Sequence, residues 1–178
     1  MADRERQRRF ETLLREHRRI VFKIAAAYAH TVHDRDDLAQ EIAAQLWRSF
    51  GSFDERRAKF STWMYRVALN VAISQGRAAE RAGAGCLEPL GDVHAETMAA
   101  AGASHEEIMQ GNERLAALHA FIAQLDPLNR ALVLLYLDDR SYAEIAAVLG
   151  ISETNVATKL SRIKHRLRVQ IAAHTTGA

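Results

Sequence analysis

The stretch SYAEIAAVLGISETNVATKLSRIKHRL, residues 141–167, decides the fold of this chain. Its first four residues, Ser141-Tyr142-Ala143-Glu144, have the spacing of a capping box, in which the serine caps forward and the glutamate reaches back. Tyr142, Ile145, Ala146 and Leu149 then fall at i, i+3, i+4 and i+7, giving a short helix one apolar face. Gly150 follows directly and suits the left-handed conformation that ends a helix. Ser152 caps the next helix at once, with Ile151 and Val156 at hydrophobic-staple positions. Two helices joined by so tight a turn must cross steeply, which makes the stretch a helix-turn-helix.

The second of these helices carries the chemistry. Val156, Leu160, Ile163 and Leu167 form its buried stripe. At about 100° per residue, Thr154, Thr158, Ser161, Arg162 and His165 face away, with Asn155 and Lys159 on the flank. Short polar side chains mixed with cations suit base edges and phosphates. An ordinary solvated face would mix Glu with Lys, but here the only acid is Glu153 at the helix start. The face is therefore read as DNA-binding.

Working outward, Asp126-Pro127 marks a helix start, with Asp126 as N-cap and Pro127 at the first helical position. That helix runs through Leu132 and Leu135 to about Leu137, and Asp138-Asp139-Arg140 breaks it. A further helix is expected over Ile108–Gln124. Upstream, between about Gln75 and His105, periodicity disappears among Gly76, Gly83, Gly85, Pro89, Gly91 and Gly102, the pattern of a flexible linker. Before it the helical pattern resumes. One helix near Arg6–His30 carries Phe10, Leu13, Leu14, Val21, Ile24, Ala25 and Tyr28 on one side. A second starts near Asp34 as N-cap and carries Leu38, Ile42 and Leu46. A third runs from Thr62 to about Gln75, capped by Ser61, with Val67 and Val71 toward the core and Arg66, Asn70 and Ser74 outward.

Composition agrees with an all-α chain. Of 178 residues 48% are hydrophobic, and two prolines with nine glycines are too few for a turn-rich β design. A net charge of +2 excludes binding DNA through bulk charge, so contacts must come from local patches. The single cysteine, Cys86, excludes an internal disulfide and suits a reducing compartment. No signal peptide and no apolar run of spanning length is read, so a soluble cytoplasmic protein is expected. No nucleophile elbow or glycine-rich phosphate loop is present, so neither catalysis nor a cofactor is expected. Cys86, His94 and His105 are too irregularly spaced for a metal site.

The segment from Leu125-Asp126-Pro127 through Ser141–Ala146, Leu149–Ser152, Val156 and Leu160 to Arg166-Leu167 resembles region 4 of bacterial sigma factors, especially the extracytoplasmic-function group. Response regulators share such a helix-turn-helix, and the first block separates the two. Asp36-Asp37-Leu38-Ala39-Gln40-Glu41 with Leu46-Trp47 resembles region 2.2, and Phe60 to Ile73 resembles regions 2.3 and 2.4. Leu69 and Ser74 stand where members often carry Arg and Asp.

The resemblance implies two small helical domains, region 2 over 6–77 and region 4 over 108–174, joined by a linker over 78–107. It implies an initiation factor without catalysis that binds core RNA polymerase, through the largest subunit's coiled coil and the flap, and directs it to promoter DNA. Asp37, Gln40, Glu41 and Trp47 would meet polymerase. Phe60, Trp63, Arg66, Asn70 and Arg77 would take the −10 element, with Tyr65 a further aromatic candidate. Thr154, Asn155, Thr158, Lys159, Ser161 and Arg162 would read the −35 element. Many members are held by an anti-sigma factor, which the resemblance implies here too. The other reading is a free-standing DNA-binding regulator whose first block senses a ligand or protein.

Overall fold

A computed structural model describes residues 2–29, 31–81 and 115–176. The described residues form helices and connecting turns, with no strand among them. In the first block, α1 spans Ala2–Tyr28, α2 Val32–Ser49 and α3 Phe60–Arg81, with a short 3-10 turn at Phe50–Ser52. In the second, α4 occupies 115–123, α5 Pro127–Leu137, α6 Tyr142–Leu149 and α7 Glu153–Thr176. Helix α3 runs past the expected block boundary to Arg81. The remaining linker residues 82–107, the start of the Ile108 helix, and Cys86, His94 and His105 lie outside the described residues.

Helices α1, α2 and α3 pack on one another around Phe10, Val21, Ile24, Leu38, Ile42, Leu46, Met64 and Ala68, all buried. The start of α2 differs from expectation by one turn. Thr31 is its N-cap, accepting from the Asp34 N–H at 3.1 Å, and Asp34 returns the bond to the Thr31 N–H at 3.1 Å. Asp34 is thus the reciprocal member of a capping box rather than the cap. Likewise α3 begins at Phe60, ahead of Ser61, with the Trp63 N–H donating to the Lys59 carbonyl at 3.1 Å.

Helix α5 is short and apolar all round: of its 11 residues, Pro127 and Arg130 through Leu135 are buried. A helix without a polar face must be enclosed on several sides. Here α6 and α7 cover one side while α3 and the end of α1 cover another. The two blocks therefore share one continuous apolar core. Leu69, the residue at a position where sigma relatives often carry Arg, is buried in it.

Polar contacts fix this arrangement at both ends of α5. At its start, the Tyr28 hydroxyl donates to the Pro127 carbonyl at 2.5 Å. One turn later lies Arg130, the only buried charged residue among those described. Its guanidinium donates to the carbonyls of Ile122, Ala123 and Leu125 at 3.2, 2.6 and 3.1 Å, and to Ala27 of α1 at 3.0 Å. It also sits 5.1 Å from the Tyr28 ring centre. At the far end, Asp138 accepts from Tyr65 of α3 and from Lys23 of α1. Arg140 covers the Tyr65 ring at 5.2 Å. Burial, and then the Asp138 carboxylate, push the Tyr65 phenol above its usual range, so it stays a donor.

These contacts set different stability costs. Arg130→Ala removes the side-chain donor from four carbonyls, of which Ile122 keeps the Leu125 N–H, and is expected to lower the unfolding free energy by about 3 kcal/mol. Tyr28→Phe removes one hydrogen bond and should cost about 1 kcal/mol. Urea denaturation of the two variants measures the difference, and equal small losses would contradict Arg130 as the joint.

Candidate nucleic-acid interface

The helix-turn-helix is built as its residue types require. The Ser141 hydroxyl accepts from the Glu144 N–H at 3.2 Å, and the Glu144 carboxylate accepts from the Ser141 N–H at 3.0 Å. That backbone N–H holds the Glu144 carboxyl below the usual carboxylate range. Gly150 has φ +68°, and its N–H closes α6 on the Ala146 carbonyl at 2.9 Å. Ser152 then accepts from the Asn155 N–H at 3.2 Å, starting α7 at a new angle. Ile145 and Val148 are the buried residues of α6, whereas Tyr142, expected on the apolar face, is 38% exposed.

On α7, Val156, Leu160 and Ile163 are buried and Leu167 packs against the core. Thr154, Asn155, Thr158, Ser161, Arg162 and His165 are exposed, and Lys159 is half-buried on the flank. The Thr158 hydroxyl donates back to the Thr154 carbonyl at 2.9 Å. Among the described residues neither Lys159 nor Arg162 makes an ion pair, and both charges remain available to phosphates.

In the first block the aromatic residues converge at one end of the bundle. Phe50, Phe53, Phe60 and Trp63 form a cluster, with Trp63 5.2 Å from Phe53 and 5.4 Å from Phe60. Phe60 is 7% exposed, so in this arrangement its ring supports the cluster from within. Tyr65, 3% exposed, belongs to the joint with Asp138. Trp63 and Phe53 are the half-buried members at the edge. Arg66 and Asn70 are exposed one turn apart on α3, and Arg77 is exposed further along it.

Asn70 also lines a groove of about 540 Å³ between α2 and α3, with Glu41, Gln45, Ser49, Val67, Val71, Ser74 and Gln75. Val67 and Val71, expected as core, are half-buried along this groove. The loop before α3 adds residues that the sequence reading passed over: Phe53, Arg56, Arg57 and Lys59, an aromatic followed by exposed cations. Asp54 orders this loop by accepting from the Arg56 N–H at 3.0 Å, and the Arg56 side chain holds its carboxyl below the usual range. The signal was the run FDERRAK itself, which pairs a stacking surface with phosphate ligands.

The outer side of α2 presents Asp37, Gln40 and Glu41, while Leu38, Ile42 and Leu46 face inward. Glu41 pairs with Arg48 at 2.7 Å and Asp37 with His33 at 3.6 Å. Trp47 is turned inward against Phe10, 5.2 Å between rings, beneath the Arg6 guanidinium. Among the described residues no three His, Cys, Asp or Glu side chains gather at metal-binding distance, and no helix is long and apolar enough to cross a membrane.

Comparison with known proteins bears on both blocks. Residues 13–82 match the family model Sigma-70 region 2, and residues 115–167 match Sigma-70, region 4. The chain is 30% identical over 160 residues to the ECF RNA polymerase sigma factor SigW of Bacillus subtilis, covering 85% of this chain and 82% of that protein. It is 28% identical over 168 residues to SigE of Mycolicibacterium smegmatis, where it spans only 63% of the relative's length. The fold matches the sigma factor RpoE, solved in complex with the anti-sigma factor NepR from Bartonella quintana, at TM-score 0.68 and 18% identity over 92% of this chain and 96% of that one. It also matches CnrH, solved with the cytosolic domain of CnrY, at TM-score 0.64 and 23% identity over 94% and 90%.

Arg162→Ala and Lys159→Ala should each weaken duplex binding by about 1–3 kcal/mol while leaving the fold intact. Fluorescence anisotropy on a cognate duplex reads the loss. Weakened polymerase binding in its place would mean the reading face lies elsewhere.

Proposed function

The chain belongs to the extracytoplasmic-function group of the sigma-70 family, and we propose that it confers promoter specificity on RNA polymerase by two separate surfaces. Asp37, Gln40 and Glu41 on α2, with the edge of Trp47, form the surface for the coiled coil of the polymerase's largest subunit. Trp63, Arg66, Asn70 and Arg77 take the −10 element, with Phe60 supporting the cluster and the Phe53–Lys59 loop beside it. Thr154, Asn155, Thr158, Lys159, Ser161 and Arg162 read the −35 element. Region 2 corresponds to residues 6–77 and the α3 extension to Arg81, the connection to the residues from there to 107, and region 4 to 108–174. The chain acts by binding, without catalysis of its own, in the cytoplasm where polymerase works.

One observation carries this reading: a single chain exposes an acidic docking helix and, on another element, a reading helix bare of acid beyond its first turn. The closed packing adds a requirement. The two promoter elements lie about 25 base pairs apart, or about 85 Å at 3.4 Å per pair. A chain whose α3 packs directly on α5 and α6 cannot lay α3 and α7 on both elements together. The blocks separate on the promoter, and polymerase holds them apart. The solved complexes of RpoE and CnrH with protein partners support extending to this chain an anti-sigma factor that favours the closed form.

Run-off transcription with core polymerase should depend on this chain and on both promoter elements. In a gel shift, the chain alone should bind promoter duplex weakly and the complex with core tightly. Tight, symmetric duplex binding without core would identify a free-standing regulator.

A further inference from the structure

Helix α1 has a second face that none of these functions uses. Its inner side carries Phe10, Val21, Ile24 and Tyr28. Opposite lie Arg4, Arg8, Arg15, Arg18 and Arg19, all exposed. Among the described residues none of the five guanidinium groups has an ion-pair partner. Arg9, on another side of the helix, is paired with Glu55.

This arrangement works against the helix that bears it. Arg4 with Arg8, and Arg15 with Arg19, are like charges one turn apart, which repel. Arg4 also sits in the first turn of the helix, where the macrodipole disfavours cations, with Asp3 and Glu5 beside it. A solvated face would relieve this with acids one turn away, as Asp37 meets His33 four residues before it on α2. On the stripe the one acid is Glu11, a turn from both Arg8 and Arg15, and it is engaged by Gln7 at 2.9 Å in place of either arginine.

The spacing specifies the shape of what fits. Arg4, Arg8, Glu11, Arg15, Arg18 and Phe22 follow one another at intervals of 4, 3, 4, 3 and 4, a heptad seam about 27 Å long. Phe22 ends the seam and is 57% exposed. A DNA backbone curves away from a straight helix, gains nothing from an exposed phenyl ring and is repelled by Glu11. A second helix tracks such a seam along its length. Arginine and phenylalanine are the side chains that anchor protein interfaces, and the planar guanidinium pairs bidentately with carboxylates.

We infer that the outer face of α1 is a docking surface for an acidic helix of another protein. That helix carries Asp or Glu at heptad spacing against the arginines and an aliphatic residue against Phe22. The surface is separate from the polymerase face on α2 and from both DNA-reading faces.

The test uses the full chain and a fluorescein-labelled synthetic helix of about 20 residues, with glutamates on the seam, one lysine opposite Glu11 and one leucine opposite Phe22. Anisotropy should show saturable binding below about 100 μM. Moving the glutamates off the seam at constant composition should weaken it at least about tenfold. Arg8→Glu/Arg15→Glu/Arg18→Glu should do the same, and Arg8→Gln/Arg15→Gln/Arg18→Gln provides a milder variant that preserves helix propensity. Phe22→Ala should weaken binding about threefold or more. Circular dichroism checks that each variant is folded. No binding at 100 μM, or equal binding of the on-seam and off-seam peptides, overturns the inference. So does random duplex DNA binding more tightly than the peptide through these same arginines.

Discussion

A single buried guanidinium joins the two halves of this protein. Arg130 would be expensive to bury alone, since a charge removed from water must find partners. It finds four carbonyls, three at the end of α4 and the turn after it and one at the end of α1. Helix ends leave such carbonyls without intrahelical donors, so the arginine and the helix termini each answer the other's requirement. The Tyr28 ring lies against the guanidinium and its hydroxyl reaches Pro127, which places α5 on the end of α1. Eight residues further along α5, Asp138 binds Lys23 and Tyr65. Helix α5 is thus fastened at both ends to the first block, and its apolar surface fills the space between.

This joint leaves the functional faces clear. The outer side of α7, the Arg66–Asn70 face of α3 and the acidic side of α2 all remain exposed while α5 and the inner sides of α3 and α6 are covered. Closure therefore masks no side chain proposed to touch DNA or polymerase directly. It restricts their spacing. One block can meet its target while closed, but the two cannot meet separated targets together. The edge of the joint is polar: Asp138, Lys23 and Arg140 lie around the apolar surface of α5 and carry groups that water can also serve. An interface with such a boundary is easier to part than a purely apolar core of the same size.

Local features of this architecture were legible in the sequence. Ser141-Tyr142-Ala143-Glu144, Gly150 and Ser152 each name a backbone geometry that the structure contains, and the Val156, Leu160, Ile163 stripe is buried as its spacing requires. Asp126 caps α5 as expected, accepting from the Asn129 N–H at 3.1 Å. The shift from Asp34 to Thr31 at the start of α2 has a local cause, because both members of a capping box are good N-cap residues. The packing of the blocks on one another was not legible, since its polar contacts join residues 73 to 115 positions apart. A signal existed in PLNRALVLLYL, residues 127–137, which is too apolar all round for a helix at the edge of a small domain. Among site residues, the exposed polar ones could be placed by helical phase. The aromatic ones could not, because phase does not tell a stacking platform from core, and Phe60 and Tyr65 proved to be packed inside.

The central claim is that the free chain is closed through α5 and opens on the promoter. Nitroxide labels at the exposed positions Ala44 and Ala147, with Cys86 replaced by Ser, report the separation of the blocks by double electron–electron resonance. The free chain should give one narrow, short distance, and the complex with polymerase and promoter DNA a distance longer by tens of ångströms, as elements about 85 Å apart demand. The same distance in both states, or a broad long distribution in the free chain, would contradict it.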